Sequence, residues 1–267
     1  MNIGIVGLGL IGGSIGLKLQ SLNHTVYGVT NNNLNETKAK ERQLANFISQ
    51  DYKILENCSL IILALPIKNL INPSENLIKA IPTKAILTDV GSVKVPIIET
   101  WEKTHDLFIG SHPMAGTEEK GVNAGKIELF DNSKWVVTPT HKTDQNSLQT
   151  LTELLKNMGC EIYFENPAIH DQAVANISHL PIYLASCLIE TAYCQNNEDL
   201  LNLSRKLAAT GFADTSRVGA GNPSLGIDLA ENNTINILNA IKNFKQNISE
   251  IEKIFEERNW DVLEAKL

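Results

Sequence analysis

Short, nearly continuous apolar runs alternate with helix-like stretches through the first 166 residues. IGIVGL (3–8), TVYGVT (25–30), LIILAL (60–65), AILTDV (85–90) and LFIGSH (107–112) read as five strands. They lack a regular polar face, as a parallel sheet covered on both sides requires. Segments 11–22 and 93–104 read as helices between them, a βαβ rhythm that predicts a doubly wound α/β domain. KWVVTPT (134–140) and EIYFEN (161–166) extend the sheet around a helix near 144–158.

Beyond Pro167 the strand-like runs cease. Residues 170–193 read as one long helix with a kink near Pro181. A shorter helix over 198–209 ends before Gly211, its expected C-cap. The stretch FADTSRVGAGNPSLG then reads as irregular, and a last helix follows. In that helix Ile237, Ile241, Phe244, Ile248, Ile251 and Phe255 recur at alternating spacings of four and three, a coiled-coil-like seam. Such a seam suits core packing within one chain as well as contact between two. The expected organisation is a doubly wound, Rossmann-type α/β domain over 1–166 and an all-helical domain over 167–267.

A chain of 267 residues is enough for one large domain or two modest ones, and enough to bury a core. Its net charge of −7 argues against a nucleic-acid partner. It does not bear on a small anion, because one local arginine outweighs the global sign. Cys58, Cys160, Cys187 and Cys194 show neither zinc-type spacing nor a disulfide framework, so no metal is expected. The first strand begins at Asn2, leaving no room for a targeting peptide, and no apolar run approaches membrane-spanning length. The expectation is a cytoplasmic chain without a membrane partner.

Gly7-Leu8-Gly9-Leu10-Ile11-Gly12 follows a predicted strand and opens a predicted helix, the context a dinucleotide fingerprint needs. Gly7 permits the tight turn, Gly9 lets a pyrophosphate approach the backbone, and Gly12 lets helix and strand pack closely. The helix start at Leu10 and Ile11 supplies amides for phosphate, and Leu65 and Pro66 are further cofactor candidates. An NAD site usually ends its second strand with Asp or Glu. Here the residues are Thr30, Asn31, Asn32 and Asn33, with no acid until Glu36, which favours NADP over NAD.

Several residues outside the fingerprint carry candidate chemistry. Ser92, between a strand and a helix, suits both an N-cap and a ligand contact at the sheet's carboxyl edge. Ser92 also counts among the cofactor candidates. His112 ends the next strand on that edge, with an imidazole suited to accept a proton near neutrality. His179 reads equally as a core histidine and a substrate contact. Asp214 and Arg217 read as a surface ion pair or as an aspartate orienting a guanidinium onto a carboxylate. Glu118 is a loop charge or a guard at the site entrance.

GLGLIGGS, DVGSVK, GSHPMAGTE, HDQAVANISHLP and FADTSRVGAGNP together resemble the prephenate/arogenate dehydrogenase family of tyrosine biosynthesis, in the right order from Asn2 to about Gly226. The resemblance implies a nucleotide-binding domain and a helical dimerisation domain with the active site in the cleft between them, and a homodimer. It implies that His112 takes the proton of the substrate's C4 hydroxyl, supported by Ser92 near the nicotinamide. Arg217 would clamp a substrate carboxylate with Asp214 as partner, His179 would line the substrate site, and Glu118 would lie near its mouth.

The chain departs from the family pattern at two positions. Many relatives read His-Leu-Pro-His where this chain has Ile182, and some prephenate users carry a tryptophan where it has Gly226. A smaller, less cationic pocket would tolerate an ammonium, so the expected reaction is oxidative decarboxylation of L-arogenate to L-tyrosine with NADP. The alternatives are prephenate dehydrogenation and, from another class, a non-catalytic nucleotide-binding sensor. A dehydrogenase of the 3-hydroxyacid type would want a lysine base, and 170–193 contains no lysine. With the chain ending at Leu267, no appended regulatory domain is expected, and any tyrosine feedback would act by competition.

Overall fold

The computed structural model describes every residue except Glu118 and Gln195. The chain divides into two compact units, Met1–His170 and Asp171–Leu267.

Unit 1 is built on one eight-stranded sheet. Its strands are β1 (Asn2–Val6), β2 (Thr25–Val29), β3 (Phe47–Ser49), β4 (Leu60–Leu63), β5 (Ile86–Asp89), β6 (Phe108–Pro113), β7 (Lys134–Thr138) and β8 (Glu161–Phe164). Their order is β3-β2-β1-β4-β5-β6-β7-β8. The first six run parallel in the doubly wound arrangement, with the order reversing between β1 and β4. β7 pairs antiparallel to β6, and β8 runs parallel to β7. The helices are α1 (Leu10–Ser21), α2 (Asn33–Glu41), α3 (Ile67–Ile71), α4 (Glu75–Ala80), α5 (Val95–Trp101), α6 (Gln145–Asn157) and the start of α7 (Pro167–Val174).

Periodicity explains how these elements pack. Ile3 and Ile5 of β1 and all of β4 are buried, as a central strand covered on both faces requires. On α6 the buried set Leu151, Leu154 and Leu155 follows helical spacing and packs into the same core as Phe130 and Trp135. Asp144 caps α6 by accepting from the Ser147 amide at 2.7 Å. The structure adds β3, three residues long with Phe47 half-exposed, which periodicity did not mark as a strand.

Unit 2 is helical: α8 (Leu180–Tyr193), α9 (Glu198–Leu207), α10 (Thr210–Ser216), α11 (Pro223–Asn232), α12 (Thr234–Glu256) and α13 (Trp260–Lys266). Two expectations change here, and a third takes definite form. The irregularity expected near Pro181 is a widened π turn over Ala175–His179, just before that proline. Proline has no N–H, and its ring crowds the carbonyl four residues back, so the ladder loosens before it. Gly211 caps nothing: α9 ends at Leu207 with Ala208 in the capping position, and Gly211 lies inside α10. The stretch read as irregular is short helices joined by a 3-10 turn, Arg217–Ala220. Gly219 makes this packing possible, since a Cβ there would sit 2.8 Å from the Ala185 backbone.

The helical run Pro167–Tyr193 has 27 residues and a mean hydropathy of 1.2 over its most apolar window, long and apolar enough by those measures to span a bilayer. This corrects the expectation that no run approaches that length. The separate segments each look short because His170, Asp171 and His179 interrupt them.

Candidate active site

β1 runs into a turn that only glycine enters without strain. Gly7 has φ +96°, and a Cβ there would lie 2.3 Å from the Ala64 carbonyl oxygen. At Gly12 a Cβ would lie 1.9 Å from the Gly7 carbonyl oxygen, so helix and turn close on each other. Over Gly9 a Cβ would meet nothing within 4 Å. Gly9 is the N-cap of α1 and makes no side-chain cap bond, so no capping side chain covers the first-turn amides of Leu10 and Ile11. A backbone facing open space beside those amides is a fitting cradle for a pyrophosphate. Leu65 borders it, its side chain 3.3 Å from the Cβ position of Gly7, and Pro66 leads into α3.

Thr30 follows β2. It is 7% exposed, and its hydroxyl has no hydrogen-bond partner. Asn31 Oδ1 accepts from the side-chain amides of Asn32 and Asn35, and Asn32 caps α2 through the Asn35 amide. Glu36, the first carboxylate beyond the strand, is already engaged by Lys40 at 2.5 Å and Gln50 at 2.6 Å. Those bonds hold its carboxyl below the ordinary glutamate value, led by the one from Lys40.

The ends of β5 and β6 form the chemical corner. Asp89 closes β5, fully buried, and pairs with the equally buried Lys94. Its carboxylate also accepts from the amides of Gly91 at 2.8 Å and Ser111 at 3.1 Å. Lys94 Nζ donates to the Ser111 carbonyl at 2.6 Å, and Ser111 Oγ donates to the Asp89 carbonyl at 2.7 Å. The turn bearing Ser92 is thereby fastened to the residue before His112. Ser92 is not the cap of α5: the helix starts at Val95, Lys94 occupies the capping position, and no side-chain bond closes it. The charge pair, rather than a serine hydroxyl, shapes this turn.

His112 is 8% exposed and lies opposite Val136 of β7. Its Nδ1 is 3.0 Å from Nε2 of His170, which is 3% exposed, and the two rings meet edge to face at 80°. The reversal at β7 and the short return after β8 bring these two imidazoles together across 58 residues.

Within unit 2, His179 is fully buried in the π turn. Asn233 Nδ2 donates to His179 Nδ1 at 3.2 Å and to the Asp171 carbonyl at 2.8 Å, while its Oδ1 accepts from Asn236 at 2.7 Å. Arg217 opens the 3-10 turn and Asp214 lies on α10, both exposed. Among the described residues no ion pair joins them, which corrects the expected partnership. Two exposed ends gain less from Coulomb attraction than they lose in side-chain freedom. Tyr183 donates to the Gly226 carbonyl at 2.7 Å, and a Cβ on the buried Gly226 would meet nothing within 4 Å. Glu118 lies outside the described residues.

The model of the prephenate dehydrogenase nucleotide-binding domain matches residues 15–164, and that of the prephenate dehydrogenase dimerization domain matches 166–267. The chain belongs to the prephenate/arogenate dehydrogenase family. It is 30% identical to a prephenate dehydrogenase of Bacillus subtilis (strain 168) over 94% of this chain and 68% of that protein. It is similar to the crystal structure of Synechocystis arogenate dehydrogenase, with 39% identity and a TM-score of 0.83 over 97% of this chain and 94% of that one. It also resembles prephenate dehydrogenase from A. aeolicus in complex with hydroxyphenyl propionate and NAD+, with 26% identity and a TM-score of 0.89 over 97% and 91%.

As a member of this dehydrogenase family, the chain uses a nicotinamide cofactor. The nucleotide-binding match begins at residue 15, so the glycine turn at 7–12 stands on its own geometry. Periodicity and motif spacing had singled out neither His170 nor the Asp89–Lys94 pair. The available signals were a histidine inside the quoted HDQAVAN stretch and a lysine two residues after Ser92.

Proposed function

We propose that this prephenate/arogenate dehydrogenase converts L-arogenate to L-tyrosine with NADP, as a homodimer through its helical domain. One observation carries the cofactor choice: Thr30 offers a buried hydroxyl without a partner, and the nearest following carboxylate, Glu36, is already bound by Lys40 and Gln50. A phosphate on the ribose would find donors there and no uncompensated negative charge. The 39% identity to an arogenate dehydrogenase and the open space beside Gly226 support the substrate choice.

In this reading the residues act on a cyclohexadiene with a C4 hydroxyl and a ring carboxylate. The bound nicotinamide supplies the acceptor for the hydride that leaves C4. His112 takes the hydroxyl proton as the C4 carbonyl forms. The ring carboxylate then departs as carbon dioxide, and its electron pair aromatises the ring. The C4 oxygen regains a proton from His112 to become the phenol, so the enzyme releases no net proton. Ser92 supports the hydroxyl and the nicotinamide edge, and Arg217 grips a substrate carboxylate.

The test crosses arogenate and prephenate against NADP and NAD and follows absorbance of the reduced nicotinamide. Turnover should be strongest with arogenate and NADP. His112→Gln should lower kcat by about 10²–10⁴-fold with nucleotide affinity unchanged. A preference for prephenate, the substrate named for the Bacillus relative, would overturn the substrate assignment. Silence in all four combinations with nucleotide bound would favour the sensor.

A further inference from the structure

We infer that His170 is a positioning residue for the base: its Nε2 accepts the Nδ1 proton of His112 and leaves His112 Nε2 as the nitrogen open to a proton. The inference rests on His112 being the base. Its geometry is the 3.0 Å Nδ1–Nε2 contact between two imidazoles that are 8% and 3% exposed.

A neutral imidazole has one protonated and one bare nitrogen, and the hydrogen bond made by one sets the state of the other. If His112 Nδ1 accepted from His170, His112 would carry its own proton on Nε2, and that nitrogen would have no lone pair left to take the substrate's. The base therefore requires the opposite direction, with Nδ1–H donating to a bare Nε2 on His170. His170 must then hold its own proton on Nδ1. Both tautomers are assigned by this argument. The edge-to-face packing, with centroids 5.2 Å apart, restrains rotation of the His112 ring.

The identity of the partner also matters. A carboxylate in the place of His170 would form a charge-assisted bond and hold the imidazolium more firmly. In the proposed reaction the proton must return to the C4 oxygen within the same turnover. A neutral acceptor orients the base and supports its transient charge without trapping the proton. Because no net proton leaves, the pair can work while almost wholly shielded from water.

Two measurements test this. The first is the nitrogen-15 spectrum of the uniformly labelled protein at about pH 8, above the ordinary histidine value near 6.5, with His170 assigned by its loss in His170→Gln. The Nδ1–H tautomer is expected for His170, and the Nε2–H tautomer would overturn the inference. The second compares His170→Gln, whose side-chain oxygen can accept near the position of Nε2, with His170→Met, which cannot. His170→Gln should keep kcat within about threefold. His170→Met should lower kcat by about 10–100-fold, the scale of a misplaced reacting group, with substrate KM within about twofold and nucleotide affinity unchanged.

A His170→Met enzyme as fast as the wild type would also overturn the inference, while a silent His112→Gln enzyme would leave the reading of His112 standing. If His112→Gln itself turned over normally, the base reading would fail and take this inference with it. Should His170→Met fail to fold, the tautomer and the glutamine variant still decide the matter.

Discussion

In unit 1, Ile3, Ile5, Ile61, Ile62 and Leu63 are sealed completely inside the sheet, whereas in unit 2 Ile177, Leu203, Leu207, Ile227 and Leu238 each stand more than half exposed. On α12 the contrast runs along a single seam. Ile237 is buried, while Ile248 and Phe255, eleven and eighteen residues later, are open. A sheet with helices on both faces closes its own core within one chain. A layer of helices exposing large apolar side chains needs another surface against it, and the dimerization-domain match names the kind. The long apolar run through α7 and α8 belongs to the same pattern, since only 28% of its most apolar window is buried. One unit closes its core from within, and in the proposed dimer the other would close its own by association.

The largest expected effect lies in the closed unit. Lys94→Met would leave the Asp89 carboxylate buried and uncompensated, a loss of about 3–5 kcal/mol. Adding Asp89→Asn to the same chain should restore much of it, because both charges are then gone. By contrast Lys79→Met breaks a pair whose side chains are 73% and 84% exposed, and should change the urea midpoint little. A Lys94→Met protein as stable as Lys79→Met would show that the corner beneath Ser92 is not held by its charge pair.

The corner's architecture was only partly legible beforehand. The turn from β1 into α1 was plain, because Gly7 and Gly12 are demanded by backbone geometry and their spacing is local. β3 was hidden by its length of three residues and by the exposed Phe47. The short helices around Asp214 and Arg217 were hidden because their glycines and polar residues read as loop. There packing overrides propensity, as Gly219 against Ala185 shows. The contact of His112 with His170 was invisible because it depends on the reversal at β7, which no apolar run announces. The glycine turn could be read because backbone geometry demands particular residues there, whereas contacts set by strand direction could not.

A smaller effect is expected on the open seam. Burying a side chain of the size of Ile or Phe contributes about 1.5–3 kcal/mol. Ile248→Glu and Phe255→Glu should therefore each weaken the proposed dimer by about tenfold or more, read by sedimentation across a concentration series. Nucleotide binding by unit 1 should survive both substitutions. A dimer indifferent to both would move the interface off this seam.

The smallest expected effect separates the units by pH. α6 in unit 1 is capped by Asp144, whereas α9 and α11 in unit 2 are capped by Asn197 and Asn222, which do not titrate. The Ser147 hydroxyl and amide hold the Asp144 carboxyl below its ordinary value. A lowered folded-state value means the proton binds more weakly in the folded chain. Its contribution is therefore fully present above the unfolded value, near 3.9, and is lost as pH falls through the folded value. Asp144→Asn keeps a capping oxygen without the charge. The Tm gap between wild type and Asp144→Asn should be present at pH 7 and close as pH drops below about 4. Asp144→Ala, which removes the cap itself, should stay below Asp144→Asn at every pH. A gap that widened on acidification would mean that Asp144 gains its proton more readily in the folded chain, the reverse of what its bonds to Ser147 imply.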